Sequence, residues 1–360
     1  MLKRTLTTLL AAALAVSALA SCNSGSGSST ASESASESST SSASTASSEE
    51  SSASASSAES SETASAGVTI PYPSNMQERG YTEPLTLESE PERVVVMTKS
   101  PVLALYELGV EMIAIPEAGS STVWPEDLDA ATEKLNTTMN SNFDIETVIA
   151  LEPDLVVMGY TSEETYGQAL DDADIPVYYV DAGHTVSYES TKSQTEALVE
   201  AFGEGTEAGE AMLARFDELE ARLDSVKDQY ADMKVMVLQS SPPTHYIQTS
   251  EGTLASMAAM MGFGNVYEND AASMAELDRE AALSYDPDLV LAVGGSATAE
   301  EHQAVMEDDF ANNPDYWNSI PAIAGGDILY FPASFIASNG IAIIDNINSL
   351  IDMVEAHFAE

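Results

Sequence analysis

The chain has 360 residues, 44% of them hydrophobic, which is enough for two domains with real cores. Its 59 acids against 12 bases give a formal charge of −47, which excludes the basic patches that nucleic acid or an anionic membrane surface demands and leaves a solvated exterior on which a few acids can dock a partner. A single cysteine, Cys22, excludes intramolecular disulfides and thiolate metal clusters.

Lys3 and Arg4 precede an apolar run from Leu9 to Ala20, so residues 1–21 read as a secretory signal, too short to remain as a spanning helix. The run ends in Leu19-Ala20-Ser21-Cys22, which resembles the bacterial lipobox and implies cleavage before Cys22 and lipid attachment there. Residues 22–67 are almost wholly Ser, Ala, Thr, Glu and Gly. Such a composition buries too little apolar surface to offset the entropy of ordering, so this stretch reads as a disordered tether.

The folded part is expected over 68–360. Val94 to Met97 is a short apolar strand, Thr98-Lys99-Ser100-Pro101 leads into a helix ended by Gly109, and Val110 to Ile115 is the next strand. A polar loop with Trp124 and Asn136 to Asn142 follows, then a strand ending at Gly159-Tyr160, a strand from Pro176 to Val180, and a helix from about Ser190 to Phe202. From Gly205 to Tyr230 the apolar residues Met212, Phe216, Leu219, Leu223, Val226 and Tyr230 recur at steps of four and three, one stripe of an amphipathic helix of roughly 39 Å. Beyond it come a strand from Lys234 to Gln239, a hairpin through Tyr246 to Gln248, a Met-rich helix from Thr253 to Met261, a strand ending at Gly294-Gly295, a helical polar stretch to Asn313, a strand from Asp327 to Phe331 and a final helix from Asn339 to Phe358.

Around the long helix the chain repeats itself. Asp144-Ile-Glu146 leading to Glu152-Pro153-Asp154-Leu155-Val156 matches Asp278-Arg-Glu280 leading to Asp286-Pro287-Asp288-Leu289-Val290 at a constant offset of 134. Each copy reads as an Asp-capped short helix, stopped by proline and followed by a buried strand. The fold class is therefore α/β, with two similar lobes over 68–203 and 232–360 joined by one helix over 204–231.

In open parallel sheets ligands sit beyond the carboxyl ends of the strands. That rule nominates Lys99, Ser100, Tyr160 and His184 in the first lobe and Ser240, Ser241, His245, Gly294, Gly295, Ser334 and Phe335 in the second. Trp124, Tyr160, Tyr166, Tyr188, Tyr246 and Phe335 either offer flat surfaces to a ligand or pack within their own lobes.

Pro91-Glu92-Arg93-Val94-Val95-Val96, Leu108-Gly109-Val110, both Pro-Asp-Leu-Val copies, and Trp317 followed by Ile320-Pro321-Ala322 and Gly326-Asp327-Ile328-Leu329-Tyr330 make the chain from about Pro84 onward similar to the solute-binding lipoproteins of ABC transporters for iron chelates, haem and cobalamin. The resemblance implies two Rossmann-like lobes with mainly parallel sheets joined by one long rigid helix, and a monomer, extracytoplasmic and lipid-anchored to the cell membrane. It implies cargo held between the lobes, without chemistry, and delivered to a membrane permease driven by an ATPase. The family offers one docking glutamate from the first helix of each lobe; those places hold Leu103 and about Ala259 here, with Glu107 and Glu251 nearby as substitutes.

Lys99 is the only base in a nominated loop, with Lys192 a possible second, so the expected cargo is neutral or mostly apolar: a hydroxamate-type iron chelate, haem or a corrinoid. His184 and His245 are carried as cleft residues, not metal ligands, and Met97 and Met158 as core filler. Free zinc or manganese would need three or four converging ligands, and neither a His-x-His nor a His-rich loop occurs. An enzyme is disfavoured because Gly-x-Ser-x-Gly and a strand-borne Gly-x-Gly-x-x-Gly are both missing; a sensor or adhesion role stays open.

Overall fold

The computed structural model describes residues 67–119, 121–136, 144–182, 187–269, 272–337 and 340–359. The expected signal, Cys22, the tether up to residue 66 and His184 lie outside these residues. Two sheets carry the fold. The first orders its strands Glu133–Leu135, Met112–Pro116, Val94–Val96, Leu155–Gly159 and Val177–Val180, all parallel. The second places Lys234–Ser241, Leu289–Gly294 and Ile328–Phe331 in parallel, with Thr244–Gln248 and Met274–Glu276 added antiparallel on the other side of Lys234–Ser241. Gly264–Asn265 pairs in parallel with the start of that strand.

Each central strand alternates between two apolar layers, as a two-residue period demands. In the first sheet Val94, Val96, Leu155 and Val157 face one way, while Val95, Met97, Val156 and Met158 face the other, against Tyr166 and Leu170. In the second sheet Val235, Val237, Leu289, Leu291 and Val293 face one way, while Met236, Leu238 and Val290 meet Trp317 and Ile320 on the other. The first set from each sheet belongs to one continuous apolar cluster that also takes in Phe216, Met257 and Ile344. Met97 and Met158 fill the first sheet's outer layer.

The repeated Asp residues have matching tasks. Asp144 and Asp278 cap the helices Ile145–Ala150 and Arg279–Ala282, the second through Oδ1 accepting from the Glu280 and Ala281 amides at 2.9 and 3.1 Å. Asp154 accepts from the amides of Glu92 and Arg93 at 2.7 and 2.9 Å, and Asp288 accepts from the Lys234 amide at 2.7 Å. Each of these two carboxylates thus pins the entry of the neighbouring strand, Val94–Val96 in one sheet and Lys234–Ser241 in the other.

Between the sheets in sequence runs a helix of 24 residues, Glu207–Tyr230, capped by Thr206 Oγ1 accepting from the Gly209 amide at 3.0 Å. Its buried residues are Gly209 and the six of the predicted stripe. Gly209 is needed because a side chain there would meet the Gly203 backbone. The helix grips both halves: Tyr188 donates to Glu220 Oε1 at 3.0 Å, and Lys192 pairs with the same oxygen at 2.6 Å. Arg222 reaches Asn348, Asp352 and Glu355 of the final helix, Ala342–Phe358, and Tyr230 stacks on Phe263 at 4.7 Å.

A strap before the first sheet has no counterpart among the expected elements. Thr69–Ile70 pairs antiparallel with Leu85–Thr86, and the short helix Ser74–Gln77 lies between them. Tyr72 stacks on Tyr178 at 4.7 Å, and Tyr178 donates to the Pro71 carbonyl at 2.8 Å, which clips the strap to the outer strand of the sheet.

Candidate ligand-binding site

Three residues past the paired Val96 and Val157 stand Lys99 and Tyr160, so the two lie at the same level beyond the carboxyl ends of adjacent strands. Lys99 is half-buried, and burial lowers its pKa, with the Glu117 charge working in the opposite direction. Its Nζ faces Gly119. The guanidinium of Arg79, on the strap, lies 4.2 Å from the centre of the Tyr160 ring. Ser100 is buried and donates from Oγ to the Asp181 carbonyl at 3.3 Å. The Asp181 carboxylate accepts from Ser190 Oγ at 2.6 Å and, at 3.4 Å, from Asn75.

The second half reaches this edge at Gly340, which has φ +57° and sits so close to the Ser100 carbonyl that no side chain fits between them. Nearby, a cavity of about 310 Å³ is lined from one side by Ser187, Tyr188 and Glu189 and from the other by Ser250, Ser256, Met257, Ala259, Met260 and Ile343. It lies where the helices Tyr188–Phe202, Thr253–Met260 and Ala342–Phe358 meet, and its walls are mixed: methionine and isoleucine with hydroxyls and one carboxylate.

Several nominated residues lie elsewhere. Trp124 is buried and donates from Nε1 to the Pro116 carbonyl at 2.9 Å, inside its own half. Phe335 is buried against Phe331 at 4.8 Å. Gly294 is buried because the His302 ring takes the space a side chain would need, whereas Gly295, one residue on, is exposed and faces open space. Ser241 is exposed at the hairpin turn, and the Ser334 carbonyl accepts from Asn346 at 3.0 Å. Glu107, offered as a docking acid, is paired with Arg215 at 3.0 Å, and Asp345 stands 3.6 Å from the same guanidinium. Glu251 is exposed, and only its amide, donating to Thr249 Oγ1 at 3.3 Å, makes a bond among the described residues.

His245 is inside the second half, 4% exposed. Its Nδ1 meets Ser240 Oγ at 2.9 Å, and Nε2 lies 3.3 Å from Asp309 Oδ2, out of line for a hydrogen bond. The indole of Trp317 donates to that oxygen at 2.8 Å. Burial lowers the His245 pKa, with Asp309 opposing the shift and Arg279 adding to it. These four buried polar groups lie where the hairpin meets the helix Ala299–Asn312 and do not line the 310 Å³ cavity. Arg79 is the residue that strand-end reasoning could not nominate, because it precedes the first sheet altogether; a lone Arg before a Gly-Tyr turn was its only trace in the sequence.

Comparison with known proteins agrees with this architecture. The profile of the periplasmic binding protein family matches residues 94–334. A curated cobalamin-binding protein of Halobacterium salinarum is 26% identical over 220 residues, covering 58% of this chain and 55% of its own, so the chain spans about half the length of that relative. Among solved structures, an ABC transporter substrate-binding protein from Listeria monocytogenes superposes with a TM-score of 0.54 at 20% identity, covering 72% of this chain and 98% of its own. The periplasmic catecholate-siderophore binding protein VctP from Vibrio cholerae gives a TM-score of 0.58 at 20% identity, covering 79% of this chain and 98% of its own.

Proposed function

The chain belongs to the periplasmic binding protein family, and on that premise we propose that it is the extracytoplasmic solute-binding component of an ABC importer, holding a metal chelate between its two halves and passing it to a permease unaltered. The observation that carries this reading is the cavity of about 310 Å³ whose walls come from both halves. Pockets of roughly 300–1,000 Å³ suit small ligands, and this one stands at the lower end of that range. Its methionine, isoleucine and hydroxyl lining suits an organic body better than a bare ion. Among the described residues no cluster of three or more His, Cys, Asp or Glu is placed to hold a metal, which supports a cargo whose metal arrives already wrapped.

An iron chelate, siderophore or haem, is the first reading. Corrinoid binding is the second, favoured by the name of the Halobacterium salinarum relative. In this proposal Cys22 carries the lipid anchor, residues 22–67 tether the binding unit, and Glu251, together with Glu107 once released from Arg215, meets the permease. The test is a native mass spectrum and absorbance spectrum of the chain purified from its source, followed by titration with haemin, ferrichrome and cyanocobalamin. The expected result is micromolar or tighter binding of at least one, weakened by Ala259→Glu in the cavity wall, where the residue is exposed. If none binds and nothing co-purifies, the reading fails.

A further inference from the structure

The bases of this chain are few, and the structure shows which of them are already engaged. Lys134, Lys192, Arg215, Arg222 and Lys227 pair with carboxylates, and Arg93 donates to the carbonyls of Leu151 and Glu152 at 2.5 and 3.0 Å. Arg279 is stacked over Tyr316 and Trp317 at 4.9 and 5.9 Å. Lys234 stands exposed at the start of its strand, the end opposite the carboxyl edge. In a protein with 59 acids, any base near the surface has carboxylates within reach. The side chains of Arg79 and Lys99 nevertheless form no ion pair and donate no hydrogen bond to any described residue, and both stand at the carboxyl edge of the first sheet.

Their placement is specific. The stacking over Tyr160 aims the Arg79 guanidinium across the end of the strand Leu155–Gly159 while leaving its N–H groups free. Lys99 occupies the same level one strand away, half-buried, without a partner that would offset its loss of water. Two acids at this edge are engaged: Glu163 by the Tyr81 hydroxyl, and Asp181 by Ser190 and Asn75. Glu117 influences Lys99 only through space.

We infer that Arg79 and Lys99 are held in reserve for an anionic group on the cargo, such as a carboxylate or catecholate oxygen, so that the ligand is a negatively charged chelate. This inference rests on the proposed solute-binding role and reverses the neutral cargo expected from the bases of the strand-end loops, a set that did not include Arg79. An arriving anion gains two charge-assisted contacts without breaking an existing ion pair.

The test uses the full chain and five probes: the ferric tricatecholate of enterobactin, ferric citrate and haemin as anionic complexes, and ferrichrome and cyanocobalamin as neutral ones. Wild type, Arg79→Gln, Lys99→Gln and the double variant are titrated at low and at 0.5 M salt. The inference expects an anionic probe to bind best, each single variant to lose about tenfold and the double about a hundredfold, and the salt dependence to vanish in the double variant. Preferred binding of a neutral probe, or an anionic probe bound equally by wild type and double variant, overturns the inference while leaving the solute-binding role intact. Binding of no probe removes the role itself and the inference with it. Among the described residues neither side chain makes a hydrogen bond or ion pair, and Arg79 loses only its contact with the Tyr160 ring, so folding of the variants, checked by circular dichroism, is expected to match wild type.

Discussion

His302 shows how a residue in a polar stretch ends up as part of the core. The sequence around it is acidic and helical, yet the ring turns inward, 1% exposed, over Gly294 and beside Tyr330 at 6.4 Å. Its Nε2 is buried without a hydrogen-bond partner, and burial holds its pKa below the usual histidine value. A histidine kept neutral by the fold takes up its proton more readily when unfolded. Its stabilising effect is therefore complete above about pH 6.5 and is lost as the solution is acidified from there, by up to about 1.4 kcal/mol for each pH unit. His302→Gln is expected to flatten the fall of the urea midpoint between pH 7 and pH 5 relative to wild type; equal slopes would show that the ring is not held neutral. The same residue explains why Gly294 and Gly295, alike in sequence, have different surroundings: one lies beneath the ring, and its neighbour projects beyond it.

At the scale of elements, the long helix was the most legible feature, because six apolar residues at helical spacing leave one orientation that buries them all. Its end was placed to the residue and its start within two. The paired Pro-Asp-Leu-Val segments were legible as strands, but the task of their aspartates was not, since a carboxylate that accepts amides of a neighbouring strand leaves no periodic mark. Asp288→Asn replaces an acceptor carrying full charge with a neutral one at the Lys234 amide, and a loss of about 1–2 kcal/mol is expected by chemical denaturation, with a similar loss for Asp154→Asn. The strap was not legible at all. Its strands are two residues long, and tyrosine stacking against a distant strand holds it in place, a tertiary effect that local pattern cannot report. The strand-end rule led to Lys99 and Ser100, which do stand at the carboxyl edge of the first sheet, yet it also gathered Phe335, and the search for flat aromatic surfaces gathered Trp124; both rings are buried within their own halves.

For the whole molecule, the decisive fact is that one apolar cluster runs through both halves and includes the helix between them. Separate cores joined by a loose linker would allow wide opening; here a large swing would expose buried apolar surface at roughly 25 cal/mol per Å². Loading with cargo is therefore expected to change the radius of gyration measured by small-angle X-ray scattering by less than about 1 Å, and a change of several ångströms would show that the shared core parts. The matched aspartates carry a further consequence for the nascent chain. Asp154 and Asp288 sit in near-identical segments, and each secures a strand entry 61 or 54 residues upstream, so every half contains a plausible counterfeit of the other's latch. With the first half complete before the second leaves the ribosome, each aspartate meets its own strand in turn; released all at once from denaturant, the same polypeptide must sort two interchangeable clasps, and crossed fastening is the error it is built to risk.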